Sequence, residues 1–309
     1  FLGITLQPKN KPVKACLSME IVYHIGAHET DEDRLLKCLL KNRETLAEQG
    51  ISVPNPGRYR KLLRETLQAM ASGAGPDIDR TEMLDAILGE EDADRLIMSN
   101  ANFCCINARV FENGQLYHLG PSRAAALARI FPTDKLELHL GIRNPATFIP
   151  AVLAPLPDAV RDRIRAELDP FDIRWSDVIT RLREACPQAE FTVWCNEDTP
   201  LIWSQLIREI SGLEHGMPIV GGFDLLAEIM TEEGFKRFLS YLKSHPPQTE
   251  VQKRRIIAAF LDKFAIAEEL EEELDMPGWT EETVDALTSS YEEDLYTIER
   301  IHGVTLITP

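Results

Sequence analysis

Within eight residues, His24-Ile25-Gly26-Ala27-His28-Glu29-Thr30-Asp31 brings together two imidazoles, two carboxylates, a hydroxyl and a glycine. An apolar run, then Gly26, then a helix beginning near Asp31 or Glu32 is the arrangement in which backbone N–H groups at a helix start point at an anion. On that reading Gly26, Ala27, His28 and Thr30 line an anion cradle. A nucleotide-binding loop of the G-x-x-x-x-G-K-[ST] kind is excluded, because both the second glycine and the Lys-Ser/Thr pair are missing.

The loop is rich in negative charge, with Glu29, Asp31, Glu32 and Asp33 in sequence. A unit charge about 4 Å from a phosphate contributes about 4 kcal/mol at an effective dielectric of 20. The dipole of one helix contributes about 0.3–1 kcal/mol, so it does not offset four acids. Three readings follow. The carboxylates cap the helix themselves, with Thr30 or Asp31 as N-cap and acids in the first turn, so that the anion is built in. Alternatively an altered anion site is retained, or His24, His28, Glu29 and Asp31 hold a divalent ion. The H-E-x-x-H spacing of a helical metal site is absent, and His24 in an apolar run reads as a hydrogen-bonded core residue.

The elements that must position this loop are legible as period and punctuation. Runs rich in branched or aromatic residues at 20–25, 95–99, 136–142 and 190–195 predict strands, with VTLI at 304–307 as a possible last one. Helical periodicity covers 32–49, 58–72, 81–89, 121–131, 145–154 and 174–186. Beyond Glu197 the chain reads as helices at 199–212, 222–230, 232–244, 250–272 and 280–301, expected to pack on the sheet. Apolar strands alternating with amphipathic helices predict an α/β fold, with a central parallel sheet covered on both faces and a helical C-terminal half. Without repeats or a low-complexity linker, residues 19–309 are expected to form one domain, with the HPP at 245–247 as the best candidate for a flexible joint. Residues 1–18 read as a tag or an unstructured extension.

The 309 residues are 44% hydrophobic and carry a formal charge of −17. Residues 265–300 hold thirteen Asp and Glu against Arg300 alone, read as a solvated helix face. This charge argues against a nucleic-acid or anionic-membrane partner, and with no apolar run of about 18 residues a cytoplasmic location is the expectation. The six cysteines, Cys16, Cys38, Cys104, Cys105, Cys186 and Cys195, lack C-x-x-C spacing and read as core residues in a reducing compartment, the vicinal pair Cys104–Cys105 being the one redox or soft-metal alternative. Arg143 before a helix start is an anion-binding candidate or a structural ion-pair partner. Arg123 is a less specific candidate of the same kind, QKRR at 252–255 reads as a solvated basic turn, and His118 and Trp194 read as fold residues.

The segment HIGAHETDEDRLLKCLLKNRETLAEQGISVPNP resembles the opening of bacterial-type sulfotransferases, with His24, Ile25, Gly26, His28 and Thr30 in register. Weaker resemblance continues through LIMSNANF, LYHLGPSRAAALARIFP, LHLGIRNPATFIPAVLA, FTVWCNEDTPLIWSQLIREISGL and SSYEEDLYTIERI. The resemblance implies a three-layer, P-loop-like fold that binds 3′-phosphoadenosine 5′-phosphosulfate (PAPS) and moves its sulfuryl group to a hydroxyl or amine of a small-molecule acceptor. The first loop would hold the 5′-phosphosulfate and Arg143 the 3′-phosphate, and a carboxylate or His, with His28 as the candidate, would deprotonate the acceptor. The chain departs from the family pattern at chemical positions. Glu29 stands for the loop Lys, Asp31 for a Gly, Glu32 and Asp33 for two hydroxyl residues, Ala151 for the Ser eight residues after the Arg, and Ala101 for a Glu that could act as base. A non-catalytic relative that binds another ligand or a protein partner is the alternative.

Overall fold

The computed structural model describes residues 18–73, 78–213, 217–267 and 276–309. Residues 1–17 with Cys16, and the acids at 268–275 together with the end of the helix expected over 250–272, lie outside the described residues. Six strands, β1 (Glu20–His24), β2 (Ile51–Ser52), β3 (Arg95–Ser99), β4 (Lys135–Ile142), β5 (Glu190–Cys195) and β6 (Val304–Ile307), form one sheet in the order β2-β3-β1-β4-β5-β6. All five pairings are parallel.

The alternation along β1 shows why both faces are covered. Ile21, Tyr23 and Ile25 enter the larger core, and Val22 enters the smaller one on the other face. The first face carries α3 (Pro56–Ala71), α4 (Arg80–Leu88), α5 (Gly120–Ile130), α6 (Pro145–Leu153), α8 (Trp175–Ala185) and α13 (Glu281–Ile298), through residues such as Leu63, Leu127, Ile179 and Ile298. The second carries α1 (Arg34–Lys41), α2 (Arg43–Glu48) and α9 (Thr199–Ser211), through Leu35, Leu46 and Ile207. The fold is therefore α/β in three layers, as the alternation predicts.

Several expectations are corrected. The helix expected over 32–49 is two helices broken at Asn42, whose side chain bonds Cys38 O, Val220 O and Val220 N–H and so stitches the break to the segment at Val220. The strand β2 lies outside the runs that predict strands, and α7 (Asp158–Glu167), which buries only Ile164, has too narrow an apolar stripe to show as a period. The helices α10 (Asp224–Ile229), α11 (Glu232–Ser244) and α12 (Glu250–Phe264) do not pack on the sheet. They build a third core on the outer side of α9, around Leu226, Met230, Phe238 and Ile257. The HPP at 245–247 is the turn between α11 and α12, and QKRR at 252–255 lies within α12 rather than in a turn. No helix among the described residues is long and apolar enough to cross a membrane.

Candidate functional site

The connection leaving β1 runs toward β2 at one edge of the sheet, and that leaving β4 runs toward β5 and the other edge. The crevice between the carboxyl ends of β1 and β4 is thus the switch point where open α/β sheets bind ligands. It is where the structure gathers Gly26, Ala27, His28, Thr30 and Arg143. Gly26 has φ +121°, and a Cβ there would sit 3.2 Å from Ala101 O, so only glycine fits. Its carbonyl accepts from Gly141 N–H and the Ala27 N–H donates to Gly141 O, both at 2.8 Å, which extends β1–β4 pairing into the loop. The Gly26–Ala27 peptide is cis. Glu29, Glu32 and Asp33 adopt left-handed backbone with φ of 52°, 49° and 63°. Such residues cost of order 1–3 kcal/mol each and persist only where neighbours over-determine them.

Those neighbours are the loop's own side chains and the sheet edge. His28 is buried and every polar atom of its ring is engaged. Nε2 lies 3.1 Å from Asn102 Oδ1 and 3.0 Å from Cys105 O, so it carries the proton; Nδ1 accepts from the Tyr117 hydroxyl at 2.8 Å. The same hydroxyl accepts the His28 N–H at 3.0 Å. Burial pulls the His28 pKa down, which favours this neutral tautomer. The Thr30 hydroxyl donates to Ala27 O at 2.8 Å. The Glu29 carboxylate accepts from Asn107 Nδ2 at 2.9 Å, and its carbonyl accepts from the Arg143 guanidinium, which also donates to Thr147 Oγ1 at 3.0 Å.

The acids divide their tasks, which corrects the simple capping scheme. The buried Asp31 carboxylate accepts Leu35 N–H at 3.1 Å and its carbonyl accepts Arg34 N–H at 2.7 Å. It caps α1 from two residues ahead of the N-cap position, where Asp33 makes no side-chain cap bond, and no acid occupies the first turn. Asp33 instead forms a two-pronged pair with Arg60, one arm at 3.0 Å, and hydrogen bonding from Arg60 holds its carboxyl below the usual range. One carboxylate of the four therefore satisfies helix amides directly.

His24 faces the other layer. Its Nδ1 lies 3.0 Å from Ser99 Oγ and its ring stacks on Trp194 with centroids 5.6 Å apart, an approach that Gly141 makes room for. Burial depresses the His24 pKa. Beside it in register on β4 is His139, both imidazoles being buried; among the described residues His24 Nε2 and both His139 nitrogens have no hydrogen-bond partner, His139 Nε2 lying 3.9 Å from a Glu137 carboxylate oxygen. His24 and His28 thus diverge across the sheet. Among the described residues no three His, Cys, Asp or Glu side chains converge as a metal set.

The remaining candidates have structural surroundings. Arg123 donates to Phe103 O at 3.1 Å, His118 sits exposed beside Gln115, and Ala151 lies on α6. Cys38 and Cys105 are buried free thiols whose pKa values burial raises to about 11 and about 12, so they are protonated at neutral pH. Tyr117, Asn102, Asn107 and Arg60, which hold the loop, are the residues that sequence reading misses. No family model matches the chain, and no curated protein matches it.

Proposed function

We propose that this chain is a non-catalytic protein of sulfotransferase-like architecture, one that acts by binding rather than by sulfuryl transfer. The observation that carries this reading is the internal engagement of the donor-site positions. His28 is saturated by Tyr117, Asn102 and Cys105, Thr30 is turned onto Ala27 O, and Arg143 clamps the Glu29 carbonyl. For PAPS to enter, these groups would have to exchange partners beside an acid at position 29. A buried donor or acceptor left without a partner costs about 1–3 kcal/mol, so each exchange is expensive. In this tautomer His28 has no free lone pair with which to deprotonate an acceptor.

The competing reading, PAPS-dependent transfer to a hydroxyl or amine acceptor through an atypical donor site, draws support from the place of the loop at the switch point with Arg143 beside it. A thermal-shift titration with 3′-phosphoadenosine 5′-phosphate separates the two. A ligand at 100 times its dissociation constant stabilises by about 2.7 kcal/mol. The expected outcome is no shift in the natural chain, with or without a shift in Glu29→Lys. A shift in the natural chain overturns the proposal.

A further inference from the structure

The hairpin of α11 and α12 has a filled inner side, around Phe238 and Ile257, and an open outer one. On α11, Arg237, Tyr241 and Ser244 recur at helical spacing, and on α12 so do Ile256, Phe260 and Lys263. Between these stripes lies a trough of about 470 Å³. Tyr241, stacked on His245 at 4.6 Å, joins it to a second depression of about 480 Å³ at the helical turn.

The floor of the trough is aromatic and its rim cationic. Phe260 lies 5.8 Å from both Tyr241 and Phe264, centroid to centroid. Arg237 and Lys263 stand 5.7 and 5.5 Å from the centroid of the Phe264 ring. Residues 232–264 carry seven Lys and Arg against four Asp and Glu, a net +3 in a chain of −17. The acids Glu232 and Glu233 are taken up by Lys236 and Arg237 one turn along α11. Lys243, Arg255 and Lys263 have no ion-pair partner among the described residues.

We infer that this trough docks an acidic amphipathic helix of a partner protein, its apolar side chains over Tyr241, Phe260 and Phe264 and its carboxylates along Arg237, Lys263 and Arg255. The open stripe of α12 from Ile256 to Lys263 runs about 10 Å at 1.5 Å per residue, room for about two turns of a docked helix, and the depression at the turn continues it. A helix laid between two others completes a three-helix packing and reads as anchors at i, i+3 and i+4. Charge selects the partner. An acidic segment is repelled by a chain of this net charge and attracted to the net-positive hairpin, where the aromatic floor lies beside Lys263 and Arg255, unpaired among the described residues. This supplies a partner class for the binding role proposed above and depends on that reading for its meaning only, since the trough shares no residue with the β1–α1 loop.

The test uses the full chain and two fluorescein-labelled peptides of about 14 residues, with Leu at i, i+3 and i+4 positions and either Glu or Lys at the others. The Glu peptide is expected to raise anisotropy on titration and the Lys peptide not to. Arg237→Glu with Lys263→Glu should weaken the Glu peptide by about tenfold or more, and the exposed Tyr241→Ala by a similar factor with unchanged helicity. Equal binding of both peptides, no binding of the Glu peptide, or unchanged binding to the charge-reversed protein overturns the inference. The phosphoadenosine titration is scored separately, so a binding-competent loop and an unoccupied trough are distinct results.

Discussion

The loop after β1 and the hairpin of α11 and α12 are built from similar chemistry, aromatic rings beside charged groups, and reach opposite states. In the loop, Tyr117 is buried and its hydroxyl both donates and accepts. In the hairpin, Tyr241 is exposed and its ring stacks, and among the described residues its hydroxyl has no hydrogen-bond partner. One region has spent its polar groups on itself, while the other leaves Lys243, Arg255 and Lys263 without an ion-pair partner among the described residues. Shape alone would rank the loop first as a binding site, because it occupies the switch point; the state of the individual groups reverses that order.

Removing one oxygen from each tyrosine is the strongest way to break this comparison. Tyr117→Phe leaves the buried His28 N–H and Nδ1 without partners and should cost about 2–4 kcal/mol, two unsatisfied groups at about 1–3 each with incomplete additivity, read by urea denaturation. Tyr241→Phe should change stability by about 0.5 kcal/mol or less in the same assay. Equal effects would mean that the two regions do not differ in the way described.

Gly234 sharpens the comparison from the hairpin side. A Cβ there would lie 2.3 Å from Phe264 Cβ, an atom fixed to the backbone rather than the end of a flexible chain. The gain of about 1 kcal/mol in helix propensity is outweighed by overpacking of about 1–3 kcal/mol, so Gly234→Ala should destabilise α11–α12. Hydrogen exchange should localise the loss to those helices and leave the amides of β1 and β4 unchanged.

A smaller effect is expected from pH. Burial lowers the pKa values of His24 and His28 below the unfolded value of about 6.5, so below that pH the unfolded chain binds more protons than the folded one. Their contribution is complete above about pH 6.5 and is lost as pH falls through the folded pKa values. Thermal melts between about pH 7.5 and 5 should therefore show a falling midpoint, with a shallower slope in His28→Gln. A midpoint independent of pH would contradict the buried, neutral state of these rings.

The sequence disclosed the position of the candidate loop better than the hydrogen bonds its side chains make. The runs that became β1, β3, β4 and β5, and the glycine after β1, follow from local period and punctuation, which one chain segment carries by itself. The engagement of His28 depends on Tyr117 and Asn102, which lie 89 and 74 residues away. No local pattern links such positions. Likewise, amphipathicity in α11 and α12 states that each has an apolar face without stating that α9 and not the sheet lies behind the hairpin. The strand β2 escaped because two residues are too few to show a period.

The placement of β6 has a consequence for how the molecule assembles. Phe191 on β5 pairs with Val304 on β6, so the last strand of the sheet is added only after α9 to α13 have been traversed. Closing so long a loop is entropically slow, and the pairing of β5 with β6 belongs to the late part of folding. The branch formed by α10, α11 and α12 hangs from α9 inside that loop with a core of its own. It therefore has the makings of a separate cooperative unit, able to open and close while the sheet beneath it stays intact.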